Sequence, residues 1–326
     1  MFQLYSLNDY RSHLIDFRRS KKYNRQNNDR SKKKCQSDEI IIHQLDNSKN
    51  YGIEWVKKLD EIIRDIKIQN IVKDIIIHGS YGDGTYTNFS DIELTVVLND
   101  RFENDEIARK RLLKWIRQFI NPFIIKLDPL QHHGVFLLWP NLMENYNECI
   151  LPILAYDNSW SINGSVLKFS RSVEIDKNTQ KNRMLMTINK LLMPDADFFQ
   201  FGIHMYSIKR LISNYLMLIP LYYQSQGIAI SKKQAISEII QNGPSSVINA
   251  INIASELRRI WPKTPAIYGN IRQKIIKNNI PNGMIDEFII SFYRNKFIEN
   301  KFKSMFLPIL PKACSEFISM IENENN

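Results

Sequence analysis

IIIHGSYGDGTYTNFSDIEL, residues 75–94, is the stretch from which the fold can be read. A β-branched apolar run stops at Gly79-Ser80. A loop rich in Gly, Thr and Asn follows, and Asp91 and Glu93 then open a second apolar run, IELTVVL (92–98). In an extended strand residues i and i+2 share a face, so Asp91 and Glu93 project side by side.

Adjacent carboxylates repel each other unless something neutralises them. A divalent cation such as Mg2+, which prefers hard oxygen ligands, does this well. The Gly79-Ser80 corner offers backbone N–H groups and a hydroxyl, and glycine lets the backbone come close to a phosphate. The two elements together read as a metal–phosphate site, one gripping phosphates and the other holding metals.

The neighbouring segments extend this reading. Ile53, Val56, Leu59, Ile62, Ile63 and Ile66 share one helical face. DIIIH (74–78) and IELTVVL read as buried strands. DEIARKRLLKWIRQFI (105–120) reads as an amphipathic helix with Ile107, Leu112, Leu113, Ile116 and Ile120 inward. FIIKLD (123–128), GVFLLW (134–139) and VLKFSRSVEI (166–175) read as further strands. This order predicts a mixed α/β domain over 46–175. From about residue 178 apolar residues recur at helical spacing, punctuated by Gly227, Gly243-Pro244 and Pro262. An all-helical domain is expected over 176–326, which makes the fold class α+β.

HGSYGDGTYTNFSDIEL resembles the signature of the nucleotidyltransferase superfamily of DNA polymerase beta. That signature is an apolar strand ending in Gly-Ser, a loop of about ten residues, then an acid, an apolar residue and a second acid. Its parts stand at Gly79, Ser80, Asp91 and Glu93. The loop is similar to that of small bacterial members, which include antibiotic nucleotidyltransferases. The second acid is Glu93, where aspartate is commoner in the family. The resemblance covers roughly residues 50–140 and implies a small mixed sheet. It also implies a third acid on a neighbouring strand, for which Asp128 is the candidate. His132 and His133 are auxiliary candidates, as metal ligands, a base or phosphate contacts.

The activity implied is metal-dependent transfer of a nucleoside monophosphate, AMP from ATP or the equivalent from another nucleoside triphosphate, with release of pyrophosphate. Gly79 and Ser80 would hold the phosphates. Asp91, Glu93 and Asp128 would hold Mg2+ in a two-metal site that Mn2+ also suits. The acceptor is a hydroxyl of a small molecule or protein. The alternatives are an RNA-directed, tRNA-end transferase and a non-catalytic, antitoxin-like interaction protein.

Composition bounds these readings. Apolar residues make up 44% and charged ones 24%, as in a globular rather than a disordered chain. No apolar run approaches the roughly 20 residues needed to span a bilayer, so no membrane partner is expected. Three scattered cysteines, Cys35, Cys149 and Cys314, fit neither a disulfide framework nor a zinc site and agree with a cytoplasmic location. The net charge of +10 is local. Residues 18–34 hold nine lysines or arginines against one aspartate, which leaves only +2 for the rest. A basic N-terminal arm over 1–45, partly mobile, is expected, with nucleic-acid contact as its sharper reading. A homodimer built on the helical domain is a further expectation.

Overall fold

The computed structural model describes residues 39–44, 59, 61–62, 64, 70–102, 105–144, 146, 151–163, 167–170, 175–277 and 283–323. The basic segment 18–34 lies outside the described residues, as does most of the helix expected over 53–66. Of that helix, Leu59, Glu61 and Ile62 are helical, and Leu59 is fully buried.

Six strands form one mixed sheet. They are β1 (Glu39–Gln44), β2 (Val72–His78), β3 (Glu93–Leu98), β4 (Phe136–Leu138), β5 (Trp160–Ser161) and β6 (Leu167–Ser170), in the spatial order β4-β3-β2-β5-β1-β6. β2 runs antiparallel to β3 and β5, while β4 is parallel to β3. The sequence reading left Glu39–Gln44 inside the basic arm. In the structure this run is a strand between β5 and β6.

The central strands read as unbroken apolar runs because both faces of the sheet are covered. Ile75 and Ile77 of β2, with Leu94 and Val96 of β3, pack against Leu112, Trp115, Ile116, Ile120 and Ile124. Ile76 and Val97 point the other way, into Tyr146, Tyr156, Leu167 and Phe169. Burying each such aliphatic side chain contributes about 1.5–3 kcal/mol.

A single turn, α1 (Gly79–Gly82), follows β2 directly. After β3 comes α2 (Glu106–Trp115), where the Asp105 side chain accepts the N–H groups of Ile107 and Ala108. Leu112, Leu113, Ile116 and Ile120 are buried as expected, but Ile107 is exposed at the first turn. A π-turn over Ile116–Ile120 leads without a break into α3 (Asn121–Leu127). Pro122 explains the wide turn: it has no N–H for the residue four back, and its ring crowds that carbonyl.

FIIKLD is therefore helix where a strand was expected. Asn121 through Ile125 are all buried, so this helix has no polar face to betray its period, and a short apolar run does not distinguish a buried helix from a buried strand.

After the short helix α4 (Pro140–Glu144) and strands β5 and β6, the described residues from Lys177 onward are built of helices and their connections. The main elements are α5 (Lys177–Leu192), α6 (Pro194–Asp197), α7 (Met205–Ser225), α8 (Lys232–Asn242), α9 (Ser245–Arg259), α10 (Ala266–Lys277), α11 (Gly283–Ile290), α12 (Lys296–Lys301) and α13 (Leu310–Asn323). α7 starts on a reciprocal cap: Nδ1 of His204 accepts the Ser207 N–H, and the Ser207 hydroxyl oxygen accepts the His204 N–H.

α5, α7, α9 and α13 surround a core that includes Ile188, Ile212, Tyr215, Ile251 and Phe317. Phe89 and Leu130 from the first half insert into this same core. Among the described residues no single helix is long and apolar enough to cross a membrane.

Candidate active site

Strand register creates the site. Ile77 lies opposite Leu94 and His78 opposite Glu93, so the Gly79 turn and the acidic pair meet at one end of β2 and β3. Gly79 has φ +65°, in the left-handed region. A Cβ there would fall 1.9 Å from Oε2 of Glu93. Glycine is thus favoured for its conformation, and a methyl group there would have to displace the Glu93 carboxylate.

Glu93 is held from below by a buried chain of polar groups. Its Oε2 is 3.6 Å from Nδ1 of His78. Nε2 of His78 meets the Thr95 hydroxyl at 3.1 Å, and that hydroxyl meets the Tyr156 phenol at 3.1 Å. Burial works to raise the Glu93 carboxyl, but His78 and His133 outweigh it and keep the group below its usual value.

Asp91 sits deeper, with its side chain 11% exposed against 35% for Glu93. Its backbone is fixed by Gln131, whose Oε1 accepts the Ile92 N–H and whose Nε2 donates to the Ile92 carbonyl, both at 3.0 Å. Asp91 Oδ1 is 3.3 Å from Nδ1 of His132, and Oδ2 is 3.7 Å from Nε2 of His133. That same Nε2 lies 3.9 Å from Oε1 of Glu93. Burial would raise the Asp91 carboxyl; His132 and Lys209 prevail and hold it well below the usual range. Burial pushes the His132 imidazole down to about 4, so it is neutral at pH 7.

Asp128 reaches the site from an unexpected direction. It ends α3 in extended conformation, whereas the strand beside β3 is Phe136–Leu138 and carries no acid. Oδ1 of Asp128 accepts the Leu130 N–H at 3.0 Å, and Oδ2 accepts from Nζ of Lys209 at 2.8 Å. Burial, with the charge of Asp91, pushes its carboxyl up to about 6 against the pull of Lys209.

The structure thus brings all the sequence candidates together: Gly79, Ser80, Asp91, Glu93, Asp128, His132 and His133. It adds residues that sequence reasoning missed. Lys209, on α7, has a fully buried side chain 2.9 Å from Oδ1 of Asp91 and 2.8 Å from Oδ2 of Asp128. Burial would lower its ammonium; the two carboxylates more than offset that and keep it charged. Met205, Ile208 and Ile212 flank it on the apolar face of α7. A lysine on such a stripe was a legible signal, since lysine is almost never fully buried without a partner.

Arg272 of α10 is also buried and donates to the carbonyls of Pro129 (2.6 Å) and Gln131 (3.2 Å). Close packing allows this reach, because a Cβ at Gly269 would lie 2.9 Å from the Ile125 carbonyl. Two more cations of the helical half act on the acidic pair from a distance. Lys232 opens α8, and burial together with Arg258 lowers its ammonium to about 8. Arg258 of α9 stacks over Phe89 at 5.2 Å and feels the charges of Asp91 and Glu93. Neither forms an ion pair within 4.0 Å among the described residues.

The donor set suits a divalent cation. Ligand atoms of Asp91, His132 and His133 lie within 4.8 Å of one another. Nδ1 of His132 is buried and makes no hydrogen bond of good geometry, while Oδ1 of Asp91, likewise buried, faces Nζ of Lys209 at 2.9 Å. Carboxylate oxygens fit Mg2+, and the addition of imidazole nitrogens fits first-row metals such as Mn2+ better.

With this geometry established, residues 56–127 match the family model described as nucleotidyltransferase domain. The matched segment is similar to nucleotidyltransferase domains of the polymerase beta-like superfamily, and it contains Gly79, Ser80, Asp91 and Glu93 but stops one residue before Asp128. The match supports a general nucleotidyl-transfer activity. Comparisons with curated proteins and with solved structures gave no match.

Proposed function

We propose that the protein transfers a nucleoside monophosphate, AMP from ATP in the simplest case, to a hydroxyl of a small molecule or protein and releases pyrophosphate. The observation that carries this reading is the convergence of Asp91 and Glu93 on the Gly79-Ser80 turn at the shared end of β2 and β3.

The triphosphate would lie against the turn. The first N–H groups of any helical turn lack acceptors within it, and Gly79 and Ser80 are half-buried at its start. Lys232 and Arg258, close enough to feel the charges of Asp91 and Glu93, would add positive charge toward the phosphates. Asp91 and Glu93 would hold a divalent cation, with His133 beside them. Such a cation, when bound, polarises the α-phosphate, lowers the pKa of the acceptor hydroxyl and offsets charge on the leaving group.

The chain's own residues supply the placement. Gln131 fixes the Ile92 backbone between the two acids, and His78 orients Glu93. The acceptor would enter between the two halves, a common place for a pocket. Its hydroxyl oxygen attacks the α-phosphorus as the bond to pyrophosphate breaks.

Calorimetry with ATP, with and without Mg2+ or Mn2+, tests this reading directly. Cation-dependent binding that Asp91→Asn/Glu93→Gln abolishes supports it; equal affinity in both proteins rejects it. Incubation with radiolabelled nucleoside triphosphates and fractionated extract would then identify the acceptor. Label in RNA would favour the RNA-directed alternative.

A further inference from the structure

We infer that Lys209 takes the place of one of the two cations expected at this site, so that catalysis uses one divalent cation and one ammonium group. The inference rests on the nucleotidyl-transfer reading and concerns how that site is neutralised.

Three observations carry it. The first is position. Nζ of Lys209 lies 2.9 Å from Oδ1 of Asp91 and 2.8 Å from Oδ2 of Asp128, the bridging place a shared cation would need. It arrives there on a rigid 21-residue helix with its side chain fully buried, so the contact is built into the packing of the two halves. The second is what remains for a metal. Oδ2 of Asp91 and Oε1 of Glu93 lie 3.7 and 3.9 Å from Nε2 of His133. These separations are too long for hydrogen bonds and leave an oxygen of each acid and a ring nitrogen near enough to close on one cation with small side-chain shifts.

The third is charge. Lys209 already sets a positive charge between Asp91 and Asp128, and Lys232 and Arg258 add more near Asp91 and Glu93. A second divalent cation between Asp91 and Asp128 would have to displace the Lys209 ammonium that already lies 2.9 and 2.8 Å from their oxygens. Asp128 is in this account a positioning residue, which orients Lys209 and does not ligate the metal. His133 adds a nitrogen to the set, which favours Mn2+ over Mg2+.

The experiment is a Mn2+ titration of the full chain followed by electron paramagnetic resonance, alone and with a non-hydrolysable α,β-methylene ATP analogue. One tightly bound Mn2+ per chain is expected in the wild type under both conditions. Nitrogen spin-echo modulation is also expected, and should weaken in His133→Ala. Two bound ions in the wild-type complex, or no nitrogen modulation, would overturn the inference, and neither result depends on a variant that folds. In Lys209→Met the freed carboxylates should recruit a second ion. Calorimetry with the analogue in the same samples separates the two claims. Absence of nucleotide binding rejects the transfer reading, whereas the ion count alone judges the role of Lys209.

Discussion

The Gln131 side chain pairs with Ile92 as a neighbouring strand would, accepting its N–H and donating to its carbonyl, both at 3.0 Å. This fixes the residue between Asp91 and Glu93 just where β3 has no partner of its own. Gln131→Ala would leave two buried backbone groups without acceptor and donor, and a loss of about 2 to 4 kcal/mol is expected. Urea unfolding measures this. Cation-dependent ATP affinity should fall as well, because the acids lose their alignment; a stability change below ~0.5 kcal/mol would show that water replaces the amide at no cost.

Gly79→Ala should be more damaging to binding than to folding. The backbone at φ +65° costs alanine on the order of 1 kcal/mol or more. The new methyl group would also displace the Glu93 carboxylate, 1.9 Å away in the present arrangement. Folded protein with at least a tenfold loss of Mn2+ affinity is the expected outcome, read by the same titration in both proteins.

Asp91→Asn and Glu93→Gln keep the shape of the site and remove its charge. Transfer should fall by several orders of magnitude, roughly the 10²–10³ of a lost electrostatic stabiliser for each. The effects on stability should differ. Asp91→Asn leaves buried Lys209 with Asp128 alone and should destabilise. Glu93→Gln, at a more exposed position, should change the melting temperature little. Circular dichroism melts paired with a pyrophosphate-release assay separate the two.

His204 gives a pH dependence far from the acids. Burial, then Arg294 and Arg210, lower its imidazole to about 4, and its neutral Nδ1 caps α7. The unfolded chain takes up a proton near pH 6.5, and the folded one only near 4. Stability is therefore full above about 6.5 and is lost as pH falls toward 4. His204→Asn keeps a capping acceptor without this titration. Wild type should lose more stability than His204→Asn between pH 7 and 4, by on the order of 3 kcal/mol. Parallel slopes for the two would mean that the imidazole stays accessible to protons in the fold.

The strand–turn–strand portion was legible because its signals are local. Gly79, Asp91 and Glu93 lie within fifteen residues, and a period-two pattern leaves no other arrangement of the two acids. α3 was not, because its first five residues are all buried, which hides the helical period, and Phe123-Ile124-Ile125 reads like a strand. Asp128 was found for a reason the structure does not share, since it comes from the end of that helix. Lys209, Arg272 and Arg258 lie about 115 to 180 residues from the motif, and only tertiary packing brings them to it. Of these, Lys209 alone left a mark in the sequence, a charge set among Met205, Ile208 and Ile212.

The bridge from α7 to the acids bears on how such proteins diversify. A helical half that could be exchanged freely would let one nucleotide-handling unit acquire new acceptors by recombination. Here the exchange would remove the ammonium that balances Asp91 and Asp128, along with the guanidinium that grips Pro129 and Gln131. A transplanted half must bring equivalent cations at equivalent heights on its helices, or the acids it meets will be left charged in a dry interface. New acceptor specificity is thus more accessible through substitutions on cleft-facing helix surfaces than through replacement of the whole half.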